Sequence, residues 1–181
     1  RGKNDVRGRP GGGAGRRVVE ASRGVAWGCA KAGEIRRKQG CLVKGYDAYR
    51  PQRAVDDFCR WGEDIKDQRR KPVQYPKIEK HRMFDDGYIA RKSTHTRGCS
   101  VDLTIVDMNT HQELDMGSIF DYMDPRSWPD NPEVTAEQRK NRYILRDAMI
   151  ASGFVPFEYE WWHFAVSPEP YPDTYFDFPI R

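Results

Sequence analysis

The run Ser93-Thr94-His95-Thr96-Arg97-Gly98-Cys99-Ser100-Val101-Asp102 feeds directly into a clean two-residue alternation. Val101, Leu103 and Ile105 fall on one side, and Asp102 and Thr104 fall on the other. The pattern predicts a strand over Val101–Asp107 with one core face, and it puts a carboxylate on the opposite face. His95 and Asp102 are an odd number of residues apart, so an unbroken strand would point them in opposite directions. A bend at Arg97-Gly98 is needed before they can share a site. A second string, Glu160-Trp161-Trp162-His163, makes a similar demand. It lies in a stretch from Phe154 to Val166 that reads as strand or hairpin. Glu160 and His163 reach one site only if a bulge or turn intervenes.

The residue types in these strings have a chemistry in common. The chain contains only four histidines. His95, His163 and Asp102 offer two imidazoles and a carboxylate, a ligand set that leaves a metal ion one open position for water. Glu160 has a longer stem and is suited to proton transfer beside the metal. A third string, Asp47-Ala48-Tyr49-Arg50-Pro51, adds a guanidinium that can stabilise a developing oxyanion. Each residue also has a plainer reading: Asp102 as a solvent-facing strand carboxylate, Glu160 as a salt-bridge partner, the two tryptophans as core. His81 and His111 sit in polar stretches and read as surface. The cysteines at 29, 41, 59 and 99 form no C-x-x-C pair, which argues against a structural zinc knuckle. Cys59 and Cys99 read as small buried residues. Four thiols without a disulfide framework point to a reducing compartment.

Helices and strands mingle in the remaining sequence without a regular βαβ alternation. Residues 18–39 look helical, although Gly24, Gly28 and Gly33 weaken the pattern. Gly40 ends it, and Cys41 to Tyr46 reads as a strand. Pro51 opens a helix whose apolar face is Ala54, Val55, Phe58, Cys59, Trp61 and Ile65. Residues 67–92 read as a long surface connection, and 115–134 as loop. Thr135-Ala136-Glu137-Gln138 is a capping box for a helix running to about Ser152, with Gly153 as its stop. The proline-rich end from Pro168 is extended, and its aromatics are expected to pack back on the body. The fold class is α+β: an antiparallel sheet flanked by helices.

Charge separates the leading segment from the body. Residues 1–24 hold seven Lys/Arg against two Asp/Glu, whereas the remainder holds 24 against 25. We expect a flexible, basic, Gly-rich arm over 1–24 and a single domain over 25–181. A basic arm can bind nucleic acid, but this composition fits a solvated tail, and no nucleic-acid or membrane partner is expected. No apolar run approaches the length of a membrane-spanning helix.

The spaced motifs together resemble the VanX-type D-alanyl-D-alanine dipeptidases, a branch of the zinc DD-peptidases that share a fold with the hedgehog signalling domain. The resemblance rests on Tyr46-Asp47-Ala48-Tyr49-Arg50-Pro51, the Ser93 to Asp102 motif, Gly117-Ser118-Ile119-Phe120-Asp121 and Glu160-Trp161-Trp162-His163. It continues through Glu169-Pro170-Tyr171-Pro172 and Tyr175-Phe176-Asp177-Phe178-Pro179. It covers roughly Gly40 to Arg181, and residues 1–24 do not resemble the family's usual beginning. The likeness implies a hedgehog/DD-peptidase fold, one zinc ion on His95, Asp102 and His163, and Glu160 as acid/base. It implies that Arg50 polarises the carbonyl and that Asp121, with Ser93, binds the substrate ammonium. The implied reaction is hydrolysis of D-Ala-D-Ala to D-alanine. Peptidoglycan stem peptides are the alternative substrate, and a non-catalytic zinc module is the alternative of another kind.

Overall fold

The computed structural model describes residues 23–180. The basic arm expected over 1–24 therefore lies outside the described residues, except for Arg23 and Gly24, which begin the first helix. In chain order the elements are α1 (Arg23–Arg37), β1 (Cys41–Asp47), α2 (Gln52–Glu63), α3 (Lys71–Gln74), β2 (Ser100–Asp107), α4 (Ala136–Ala151), β3 (Phe154–Phe157) and β4 (Glu160–Val166). The four strands form one antiparallel sheet in the order β1-β2-β4-β3. This is the expected α+β arrangement.

The apolar face of β2 anchors the main core. Val101, Leu103 and Ile105 pack with Val25 and Ala32 of α1, Leu145 and Met149 of α4, and Phe154 and Phe164 of the β3–β4 hairpin. Trp161 and Trp162 are both buried in this cluster, so packing accounts for both indoles. Gly28 explains why α1 tolerates a glycine there. A Cβ at that position would lie 2.4 Å from the ring of Phe154, so the helix can approach the hairpin only without one. The capping box is present at α4: the Thr135 hydroxyl accepts from Gln138 N–H, and the Gln138 side chain accepts from Thr135 N–H.

Residues 67–92 differ from the expectation of a surface connection. Tyr75, Ile78, Met83 and Ile89 are buried against Val55, Cys59 and Trp61 of α2 and form a second core with Met123. The spacing of these apolar residues follows no single period, because short helical turns and bends carry them inward. Lys80 is 1% exposed at the centre of this cluster. Its ammonium donates to the carbonyls of Asp64 and Asp67 at 2.8 and 2.9 Å and lies 3.9 Å from the Trp61 ring centroid. A lysine reads as solvated from sequence alone, whereas here carbonyl dipoles and an aromatic face replace water.

Candidate metal centre

Sheet register assembles most of the site. Asp47 of β1 is the Cα partner of Asp102 on β2, and Asp102 is the partner of His163 on β4. The three residues form a row across three strands, on the face away from Val101 and Leu103. Asp47 enters the row because the β1–β2 pairing skips a residue between Gly45 and Asp47. The irregularity demanded near His163 is also present. Pro156 pairs with Phe164, yet the next β3 residue, Phe157, pairs with Glu160. Trp161, Trp162 and His163 bulge within that gap.

The bend before β2 has the expected location. Thr94–Arg97 forms a 3-10 turn, and Gly98 closes it in the left-handed region at φ 67. A residue with a Cβ is disfavoured in that conformation. The turn folds His95 back over β2. Ser93 caps it, its hydroxyl oxygen accepting from the His95 N–H at 3.2 Å. His95 is locked to the Asp47–Arg50 segment in both directions. Its Nδ1 donates to the Ala48 carbonyl at 2.6 Å, and its own carbonyl accepts from Arg50 N–H at 3.3 Å. The first bond leaves Nε2 as the lone-pair nitrogen, pointing at the other ligand candidates.

Three donor atoms then converge. His163 Nδ1 lies 2.9 Å from Asp102 Oδ1 and 3.1 Å from His95 Nε2, and His95 Nε2 lies 3.2 Å from Asp102 Oδ1. Asp102 and His95 are buried. This trio could hold one metal ion. The other His163 nitrogen, Nε2, is 3.4 Å from Thr94 Oγ1. Cys99 is buried with its thiol on the Thr94 carbonyl, so it packs as a small residue and stands apart from the trio.

Two charged side chains flank the trio. Glu160 Oε2 lies 3.9 Å from His163 Nδ1, and Arg50 Nη2 lies 3.9 Å from Asp102 Oδ2. Sequence reading gave Asp47 no role, but it holds Arg50: Nε donates to Asp47 Oδ2 at 2.9 Å, and Nη2 lies 2.8 Å from the same oxygen. The signal in the sequence was the three-residue spacing of opposite charges. Asp121 sits at φ 58 in the loop between β2 and α4, half-buried, and its charge acts on both Arg50 and Glu160.

The electrostatics follow from this crowding. Burial works against ionisation of Asp102, but the two imidazoles outweigh it and hold the carboxylate below its usual range. Burial lowers the His95 pKa, and Asp102 more than reverses this. Arg50 is likewise disfavoured by burial, yet Asp47, Asp102 and Asp121 raise its pKa above the usual value. Glu160 behaves differently. Burial pushes its carboxyl up, Asp102 and Asp121 add to that, His163 and Arg50 oppose it, and it reaches about 7. A carboxyl near neutrality is suited to both taking and giving a proton.

The C-terminal segment ties the site elements together. Arg97 makes a two-pronged pair with Glu169, both bonds at 2.7 Å, and donates to the Tyr175 hydroxyl at 2.9 Å. Phe176 N–H donates to the Thr96 carbonyl, and the Phe176 carbonyl accepts from Gln52 N–H, each at 3.0 Å. One residue thus bridges the His95 turn and the start of α2. Tyr49 stacks on Phe178. His81 and His111 are exposed, as expected.

Known proteins give a consistent comparison. The D-ala-D-ala dipeptidase profile of the M15 peptidases matches residues 3–181, and so takes in the leading segment that the motif resemblance left out. A D-alanyl-D-alanine dipeptidase of Streptomyces coelicolor is 45% identical over 155 residues, covering 84% of this chain and 77% of that protein. One from Enterococcus faecium is 40% identical over 151 residues, 83% of this chain and 75% of that protein. One from Enterococcus faecalis is 42% identical over 135 residues, 75% and 67% respectively. The profile match spans nearly the whole sequence and these identities extend over most of it, so this chain belongs to the M15 D-ala-D-ala dipeptidase family.

Proposed function

We propose that this chain is a zinc-dependent dipeptidase that hydrolyses D-Ala-D-Ala to two molecules of D-alanine. The observation that carries the reading is the triangle of His95 Nε2, Asp102 Oδ1 and His163 Nδ1, with edges of 2.9–3.2 Å, flanked by Glu160 and Arg50. Donor atoms around one tetrahedral zinc at about 2.0–2.2 Å lie about 3.3–3.6 Å apart. The trio fits such an ion after a small outward movement. Its two imidazoles and one carboxylate suit zinc, which when bound supplies Lewis acidity and makes a water more acidic.

The chain's own residues divide the remaining work. Glu160 accepts a proton from the water that attacks the dipeptide carbonyl. As the carbon–nitrogen bond breaks, the same carboxyl delivers that proton to the leaving amine. Arg50, braced by Asp47, donates to the carbonyl oxygen as negative charge builds on it. Asp121 pairs with the free ammonium of the substrate, assisted by Ser93. The Ser93 oxygen already accepts from His95 N–H, so its hydroxyl also stiffens the ligand turn. The ammonium pairing favours a free dipeptide over a peptidoglycan stem, whose corresponding nitrogen is a neutral amide. The relatives' shared name supports this substrate. Free cysteines at 29, 41, 59 and 99 favour the cytoplasm over the periplasm. Among the described residues no helix is long and apolar enough to cross a membrane.

The test is a side-by-side assay of D-Ala-D-Ala and a stem pentapeptide, with metal analysis of the purified protein. Release of D-alanine from the dipeptide at one zinc per chain is expected. Turnover of the pentapeptide alone would overturn the reading.

A further inference from the structure

Arg142 is among the largest fully buried side chains among the described residues, at 1% exposure. It sits on α4 in register with Leu145 and Met149, on the face turned to the core. Three of its nitrogens donate to backbone carbonyls: Nε to Met116 at 2.6 Å, Nη1 to Trp128 at 2.6 Å, and Nη2 to Arg126 at 2.8 Å. Met116 precedes Asp121 in the chain, and Arg126 and Trp128 follow it. One guanidinium therefore pins both ends of the loop that carries Asp121. The preceding residue of the helix reinforces the near end: Asn141 Nδ2 donates to the Asp115 carbonyl at 2.9 Å. Burial and the neighbouring Arg126 push Arg142 down to about 10, so it remains charged at neutral pH.

Within this frame the loop is internally braced. Ser127 Oγ donates to the Tyr122 carbonyl at 2.6 Å and lies 3.1 Å from Ser118 Oγ, which accepts from Trp161 Nε1 at 2.9 Å. Phe120 stacks on Tyr46 and meets Trp162 edge-on. Asp121 itself is held at φ 58, in the left-handed region that few residues other than glycine, Asn and Asp adopt. A carboxylate presented this way needs a rigid frame, and a fork of three directed donors provides one that a point charge cannot.

We propose that Arg142, assisted by Asn141, is a positioning residue that sets Asp121 for recognition of the substrate ammonium. The proposal rests on the reading of Asp121 as the ammonium partner. It assigns selectivity for a free amino terminus to two helix side chains that bond the backbone of the Asp121 loop.

The experiment compares the intact zinc-loaded enzyme with Arg142→Lys, Asn141→Ala and Asp121→Asn, using D-Ala-D-Ala and its N-acetylated form. Arg142→Lys keeps a positive charge but lacks the planar fork that reaches three carbonyls at once. We expect KM for the free dipeptide to rise about tenfold, as for the loss of one well-formed polar contact, with a much smaller change in kcat. The preference for the free over the acetylated dipeptide should fall in parallel, at unchanged metal content. A merely structural role would lower the amount of active enzyme and leave that preference intact. Wild-type preference in Arg142→Lys, beside lost preference in Asp121→Asn, would overturn this inference alone. Wild-type preference in Asp121→Asn would overturn the ammonium reading and this inference with it. If the lysine variant does not fold, Asn141→Ala decides: a smaller loss of preference supports the proposal, and no loss overturns it.

Discussion

Asp47 and Arg50 meet through a single carboxylate oxygen. Arg50 Nε donates to Asp47 Oδ2 at 2.9 Å, and Arg50 Nη2 lies 2.8 Å from the same atom. The other Asp47 oxygen accepts from Ala48 N–H at 2.9 Å, so the carboxylate is fixed on both sides. A guanidinium on a long stem loses much rotamer freedom when it is ordered. Asp47 removes that freedom before substrate arrives.

Asp47→Ala should therefore reduce kcat about tenfold to a hundredfold by loosening Arg50, while Arg50→Ala should cost about a hundredfold to a thousandfold, as for other oxyanion stabilisers. Steady-state kinetics on D-Ala-D-Ala check both. Equal losses in kcat and kcat/KM mark an interaction made in the transition state. A rise in KM alone in Arg50→Ala would remove Arg50 from the chemistry.

Metal removal should abolish turnover and lower thermal stability together, because the proposed ligands come from the 94–97 turn, β2 and β4. Saturation at about a hundred times Kd adds about 2.7 kcal/mol to stability. Dialysis against a chelator, followed by zinc titration with activity and melting both recorded, tests this. His163→Ala should lose the metal-dependent part of the melting shift.

Glu160→Gln should abolish hydrolysis while leaving one metal per chain, since Glu160 stands 3.9 Å from His163 Nδ1 and outside the proposed donor triangle. Full activity in this variant would sink the assignment of Glu160 as proton carrier.

The metal-free protein should also show a Glu160-dependent pH profile. The carboxyl moves from an ordinary value of 4.5 to about 7 on folding. The folded state then binds the proton more tightly than the unfolded state. Its contribution to stability is fully present below 4.5 and is lost as pH rises through 7. The side chain is one-third exposed, so the loss is about 1–2 kcal/mol after allowance for solvent screening. Chelated wild type should lose more stability than Glu160→Gln between pH 4.5 and 7. Parallel melting curves for the two would contradict it.

Glu169→Ala should cost about 1–3 kcal/mol, because it leaves the Arg97 guanidinium without its two-pronged partner and frees the segment that bridges Thr96 and Gln52. Chemical denaturation measures it. Activity should change little, since the proposed metal ligands keep their own hydrogen bonds.

The β2 alternation, the capping box at Thr135 and the candidate set of His95, Asp102, His163, Glu160 and Arg50 were legible in the sequence, because periodicity and residue chemistry are local properties. Even the two backbone irregularities were implied, since odd spacings cannot place both members of a pair on one face. The tertiary structure decided what depends on register and burial. A skipped residue in β1 brings Asp47 beside Asp102, and a polar-looking connection becomes a second core around Lys80. Arg142 is the clearest instance. An arginine on a helix reads as solvated until the fold supplies three carbonyls as its partners, and the free energy of burying its charge depends on those distant groups.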